Sequence, residues 1–255
     1  MRIGICKSFE YAKDIKDAGF DYIEINLAKT CLLTDEEFLN SKRILDDACI
    51  AAKSANCFFP NDIRLTGEVD YNKINEYVGF ALKRAHALGI ELVVLGSGKA
   101  RSIPDGFDKS VATEQFKKVV EICAKIGKKY GIKIAIEPLS QKDSNFLNTV
   151  RETAEFIESI NSEDVGITAD FFHMFMNGET MADFEYASKW IAHLHIAKPN
   201  ENRHAPSVDD EKTLKEWADS IKNIGYNGNM SLESTSKQDF NEALCDMNSI
   251  KHIFE

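Results

Sequence analysis

Short apolar runs alternate with longer amphipathic ones from one end of this 255-residue chain to the other. Eight of the short runs read as strands: residues 2–6, 21–26, 55–59, 91–96, 132–137, 165–170, 191–196 and 229–233. Between them, apolar residues recur at helical spacing, as in Ile74, Val78, Ala81, Leu82 and Ala85, or Phe116, Val119, Val120 and Cys123. Phe240, Leu244, Met247 and Phe254 give the last helix the same kind of face. Ser8 and Thr113 read as helix starts, and Gly19, Gly89 and Gly131 as stops. Eight units in 255 residues average about 32 residues each, the size of a strand with a parallel crossover. Closing eight parallel strands into a (β/α)8 TIM barrel removes both sheet edges, whereas an open doubly wound sheet leaves two exposed. No GxGxxG follows an early strand to favour a dinucleotide-binding open sheet. No linker, charge block or low-complexity stretch divides the chain, so residues 1–255 read as one TIM-barrel domain of the α/β class.

Charge narrows the partners. Lys and Arg number 31 against 41 Asp and Glu, a formal net charge of −10. That balance argues against nucleic acid or anionic membrane held by a diffuse basic field, but leaves room for a local positive pocket. No signal-peptide run and no stretch of about 18 apolar residues occurs, which points to a cytoplasmic protein. The six cysteines, at positions 6, 31, 49, 57, 123 and 245, form no CxxC pair and lie mostly among apolar neighbours. They read as reduced, buried thiols rather than a disulfide framework or a thiolate metal site. Apolar faces on outer helices leave a homo-oligomer open.

Alternation along the later strands carries the chemistry. Successive side chains on a strand face opposite sides. Ile132, Ile134 and Ile136 share the helix-facing side of one strand, which puts Lys133, Ala135 and Glu137 on the other. By the same count Gly166, Thr168 and Asp170 point inward, as do His193 and His195, and Asn229, Ser231 and Glu233, while Ala192, Leu194 and Ile196 point out. Strands five to eight thus present Glu137, Asp170, His195 and Glu233 at their C-terminal ends, the rim where barrel enzymes build active sites. Three carboxylates at one mouth repel each other unless protonated, paired with cations or bound to a metal. With one imidazole they make a set suited to one divalent ion: manganese, magnesium, cobalt or zinc. Taken singly, each acid reads equally well as a helix cap or a surface group.

Other residues stand nearby. His173, three after Asp170, could turn back over the ion, or pack. Arg203, after strand seven, could bind a substrate oxygen, or lie in solvent. His193 reads either as a hydrogen-bonded core histidine or as a group in contact with the ion. Glu24 reads as a structural or substrate-contacting acid rather than a fifth ligand. Ser97, Lys99 and Arg101, after strand four, could hold a distal hydroxyl or a phosphate, although GSG is too short for a P-loop.

The segments GFDYIEIN, GSGKARSIPDGF, IAIEPLSQKDSNFLNT, ADFFHM, HLHIAKPNENRHAP and SLES, in this order, resemble the xylose-isomerase-like barrel superfamily over essentially the whole chain. Within its sugar phosphate isomerase/epimerase branch, the ketose 3-epimerases are the most similar group. That resemblance implies one divalent ion bound by Glu137, Asp170, His195 and Glu233, with the two glutamates moving protons on opposite faces of a sugar or sugar phosphate. It implies that His173 and Arg203 hold substrate oxygens. Two positions depart from the group: Asp143 stands where a second glutamate is usual, and Arg203 lies eight residues after His195 rather than six. The implied chemistry is proton removal beside a carbonyl, giving a metal-stabilised enediolate, with reprotonation on the opposite face (epimerase) or at the next carbon (isomerase). An inosose-type dehydratase is the nearest alternative. An endonuclease IV-like DNA hydrolase needs histidines on earlier strand ends that this sequence lacks.

Overall fold

The structure, a computed structural model, describes residues 1–200, 202–235 and 237–254. Its strands are β1 (Arg2–Cys6), β2 (Tyr22–Asn26), β3 (Ala51–Asn56), β4 (Leu92–Leu95), β5 (Lys133–Ile136), β6 (Val165–Asp170), β7 (Ile191–Ile196) and β8 (Asn229–Leu232). Each pairs in parallel with the next, and β8 returns to β1, so the sheet is a closed eight-stranded barrel. The helices between them are α1 (Ala12–Asp17), α2 (Leu27–Leu32), α3 (Asp35–Asp47), α4 (Tyr71–Ala87), α5 (Gly98–Arg101) and α6 (Lys109–Tyr130). After β5 come α7 (Val150–Ile160), α8 (Phe171–Met176), α9 (Met181–Tyr186), α10 (Glu211–Asn223) and α11 (Phe240–Ile250). Among the described residues no helix is long and apolar enough to cross a membrane.

Local chemistry sets the helix ends. Asp108 caps α6 by accepting the backbone N–H groups of Ser110 and Val111, and Gly131 ends it in the left-handed conformation. Thr113, expected as a start, lies inside α6, where its hydroxyl bonds the Lys109 carbonyl at 2.8 Å. The main core lies between barrel and helices, where Ile3, Ile5, Ile23, Val93, Leu95, Ile134, Ile136 and Ile167 meet the buried helix faces. This burial is the dominant stabilising term of such a layered fold.

Two register shifts matter for the interior. Between β6 and β7, Ile167 pairs with Ile191 but Thr168 pairs with His193, so Ala192 is taken up in a bulge. Strict alternation turns Ala192 outward; instead it packs inside the barrel against Leu92, Val94 and Ala135. Between β2 and β3, Ile23 pairs with Ala52 and Glu24 with Ser54. The third strand begins four residues and ends three residues earlier than expected, so Ser54 joins it, Asn56 becomes its last residue and the Cys57–Phe59 segment falls outside it. On the β1–β2 side Tyr22 fills the barrel. A Cβ on Gly4 would lie 2.4 Å from its ring, so only glycine leaves that room. Of the cysteines, all six are free, but only Cys123 is buried; Cys49, Cys57 and Cys245 are exposed, contrary to expectation. Their neighbours in sequence are apolar, but the loops and helix faces that carry them turn the thiols outward.

Candidate metal centre

Glu137, Asp170, His195 and Glu233 meet at the C-terminal mouth of the barrel, each with one donor atom within 4.8 Å of the others'. His195 Nδ1 lies 3.0 Å from Glu137 Oε1 and 3.0 Å from Glu233 Oε2. Each side chain is aimed by its surroundings. Asp170 ends β6 and caps α8: its Oδ1 accepts the Phe172 N–H at 2.8 Å, which leaves Oδ2 facing the mouth. One oxygen of this carboxylate thus serves as a helix cap, and the other is placed where a ligand would stand. Glu137 reaches the mouth past Gly96, where an added Cβ would stand 2.4 Å from Glu137 Oε2. Glu233 is anchored at its backbone N–H, which donates to Ile196, and at Oε1, which accepts from Asn56 Nδ2 at 2.9 Å.

Beneath them lies a buried polar layer centred on Glu24. Its Oε1 accepts from His195 Nε2 at 2.9 Å; its Oε2 accepts from His193 Nε2 at 2.8 Å, Ser54 Oγ at 2.7 Å and Ser231 Oγ at 2.6 Å. Tyr22 extends the chain, its hydroxyl 2.7 Å from Ser231 Oγ. Burial opposes the ionisation of Glu24, but His195 and His193 outweigh it and hold its pKa well below the usual carboxylate range. A carboxylate at Nε2 keeps the proton there and turns Nδ1 of His195 toward the mouth, the arrangement that a metal-bound histidine needs. Burial also disfavours the charged form of His195, yet the carboxylates of Glu24 and Glu233 raise its pKa well above the usual value. A cation among the carboxylates would compete with the Nδ1 proton and not with the one facing Glu24.

His173 and Arg203 complete the mouth. Ser140 N–H donates to His173 Nδ1 at 3.1 Å. His173 Nε2 lies 3.7 Å from Asp170 Oδ2 and 3.1 Å from Arg203 Nη1, a group that can only donate, so a neutral imidazole satisfies one of these two donors and not both. Arg203 adopts a left-handed conformation, stacks on Phe172, and donates through Nη2 to both Asp170 and Glu233. Burial opposes the ionisation of Glu233, but Arg203 and His195 bring its pKa to about 2. Asp143 reaches the edge of this group: its carboxylate accepts from Ser140 Oγ and lies 3.8 Å from His173 Nδ1.

Arg101 is placed elsewhere. Its side chain is fully buried and donates to the carbonyls of Leu95 and Leu147, which ties the end of β4 to the loop before α7 instead of reaching a substrate. Ser97 accepts the Phe59 N–H, and the Lys99 carbonyl accepts from Arg64. Sequence reasoning missed Asn56 and Gly96, and left the bridging role of Glu24 undefined.

The donors fit a divalent ion by their chemistry. One imidazole nitrogen and three carboxylates make a mixed nitrogen–oxygen set. Four carboxylates, Glu24 included, are packed against a single guanidinium and the three imidazoles of His173, His193 and His195, so negative charge is in surplus unless every imidazole is protonated, and a cation relieves it.

Comparison with known proteins bears on the same barrel. Residues 12–249 match the family described as xylose isomerase-like TIM barrel. A D-psicose 3-epimerase of Ruminiclostridium cellulolyticum is 23% identical over 234 residues, covering 88% of this chain and 76% of that protein. An inosose isomerase of Halalkalibacterium halodurans is 24% identical over 249 residues, covering 90% and 82%. In fold, the crystal structure of D-psicose 3-epimerase with D-tagatose from Clostridium cellulolyticum H10 superposes with a TM-score of 0.82 at 20% identity, covering 99% of this chain and 92% of that one.

Proposed function

The chain belongs to the xylose isomerase-like TIM barrel family, and on that premise we propose that it is a divalent-metal-dependent sugar epimerase or isomerase. The relatives it matches along most of their length are epimerases and isomerases by name, and this chain is an isomerase. The observation that carries the finer reading is the convergence of Glu137, Asp170, His195 and Glu233 on one point at the rim, with His195 oriented from behind by Glu24.

Those four side chains would hold the ion. Bound there, it supplies Lewis-acid polarisation of a sugar's carbonyl and adjoining hydroxyl oxygens, which acidifies the neighbouring C–H. The residues do the rest. Glu137 and Glu233 approach from β5 and β8, separated by two strands, so they address different faces of a sugar lying between them. One removes the α-proton and the other returns a proton to the opposite face, which inverts the carbon; return to the adjacent carbon exchanges aldose for ketose. Once Arg203 Nη1 turns from His173 Nε2 to a substrate oxygen, His173, with Nδ1 engaged by Ser140, presents Nε2–H to another. Arg203 holds Glu233 ionised in the resting site; donation of its guanidinium to a substrate oxygen frees that carboxylate to accept a proton. Asn56 fixes the rotamer of Glu233 throughout.

The inosose isomerase relative widens the substrate class to cyclic polyol ketones, where the same α-proton is removed. A dehydratase outcome differs by release of water, which product analysis detects. A DNA-cleaving role finds no support in the described ends of β1 to β4, which carry Cys6, Asn26, Asn56 and Leu95 and no histidine. The test is solvent exchange. Metal-reconstituted protein incubated in D2O with a panel of ketoses and inososes is expected to place deuterium on the α-carbon, and full retention of carbon-bound hydrogen across the panel refutes the proposal.

A further inference from the structure

A cavity of about 1040 Å³ opens beside Glu233, between the C-terminal ends of β1, β2, β3 and β8. Glu24 and Glu233 line its inner end, and Lys7, Lys29 and Lys237 line it farther out. Three separate segments supply these lysines: Lys7 follows β1, Lys29 stands in α2, and Lys237 lies between β8 and α11. Among the described residues these three, like most lysines of the chain, form no ion pair. Lys7 is instead placed with its ammonium 5.4 Å from the centre of the Phe240 ring. The lining also carries Glu10 and Asp239; Asp239 Oδ1 accepts the Asn241 and Glu242 N–H groups at the start of α11.

We infer that this wall is a subsite for an anionic end group, a phosphate or a carboxylate, on the sugar whose reacting end lies at Glu233. The inference rests on the isomerase reading for the placement of that reacting end. The volume is at the upper end of the range for small-molecule sites, so there is room beyond the reacting carbons. Ammonium groups on flexible stems are point charges that close on a phosphate or carboxylate from several directions. The segment after β4, which the sequence offered for this role, turns its arginine inward and lies outside the cavity lining.

The test begins with chelator-treated protein, so that an ion at the four-donor centre cannot itself hold the probe. Inorganic phosphate and acetate are titrated separately against the wild type and the Lys7→Met, Lys29→Met, Lys237→Met triple variant, following the thermal midpoint and the heat of binding. Phosphate, acetate or both are expected to bind the wild type, and the stronger of the two identifies the end group. Each lysine lost is expected to weaken that binding about tenfold. Equal binding by both proteins, or none by the wild type, overturns the subsite. Metal-loaded protein is then compared on matched neutral and phosphorylated ketoses and on sugar acids by deuterium wash-in. A preference for the anionic partner that falls at least about tenfold in the triple variant supports the subsite. Label in neutral sugars, with no lysine-dependent preference, overturns the subsite and leaves the isomerase reading standing. Lysine-dependent anion binding with no label in any sugar keeps the subsite and overturns the isomerase reading.

Discussion

Replacing Glu24 separates the role of the buried layer from that of the donors above it. Its carboxylate is fully buried and accepts from His195, His193, Ser54 and Ser231. In Glu24→Gln the amide oxygen can still accept from His195 Nε2, while the amide nitrogen can donate to serine hydroxyls that rotate to receive it but no longer accepts from His193 Nε2. What is lost is the negative charge that raises the basicity of His195. In Glu24→Leu the acceptor is lost as well, so the His195 ring is no longer held with Nδ1 toward the mouth. Loss of an outer-shell partner of this kind weakens metal binding by about 10- to 100-fold, or about 1.4 to 2.7 kcal/mol. Glu24→Gln is expected near the lower figure and Glu24→Leu near the upper. Competition for manganese against a fluorescent chelator measures this directly, with the thermal midpoint of the metal-free proteins as the control for folding. Affinities within a factor of two of the wild type in both variants would refute the assignment of Glu24 to the orientation of His195.

Other consequences are independent of it. Gly96→Ala places a methyl group where Glu137 Oε2 now lies, so the carboxylate must shift; activity is expected to fall about 100-fold with little change in thermal midpoint, and an unchanged kcat/KM contradicts the close approach. Glu137→Gln and Glu233→Gln each remove one proton carrier and are expected to cost about 10²- to 10⁴-fold in kcat, measured with saturating metal; a loss below tenfold in both contradicts the acid–base assignment. Glu179 is partly buried beside the start of α7, and burial, with the charges of Asp183 and Glu152, raises its pKa to about 7 although the Val150 N–H opposes this. Because the folded pKa lies above the unfolded one near 4.5, the contribution of Glu179 to stability is fully present below pH 4.5 and is lost as pH rises to 7, by at most about 3 kcal/mol. Glu179→Gln is expected to remove that slope, so its stability relative to wild type grows from pH 4.5 to 7 in urea titrations; a pH-independent difference contradicts the shifted pKa.

The four donors were legible because β5 to β8 begin and end close to where apolar alternation puts them, and a side chain's face follows from its position. The same rule failed where the ladder slips. Ala192 lies in a bulge and turns inward, and no local residue pattern marks that shift. β3 was read three to four residues late because Cys57, Phe58 and Phe59 are apolar; the strand ends at Asn56, and Cys57 follows with a positive φ of 50°. That error set Asn56 near the start of the strand and not at its C-terminal end, where it bonds Glu233. Arg101 was read as a holder of a distal hydroxyl or phosphate because it follows strand four, yet one of its partners is the Leu147 carbonyl, 46 residues on, which only the folded chain brings near. Glu24 was visible as an inward acid, but its partners come from β3, β7 and β8. A group satisfied from three distant strands has no signature in its own segment.

Metal stoichiometry tests the centre most directly. Metal-free protein is dialysed against a slight excess of manganese, freed of unbound ion and analysed for content, beside Asp170→Asn and His195→Gln combined in one chain. The four converging donors predict one ion per wild-type chain and its loss from the double variant. A wild type that retains no ion, or a double variant that retains it with equal affinity, would show that these side chains do not share a cation.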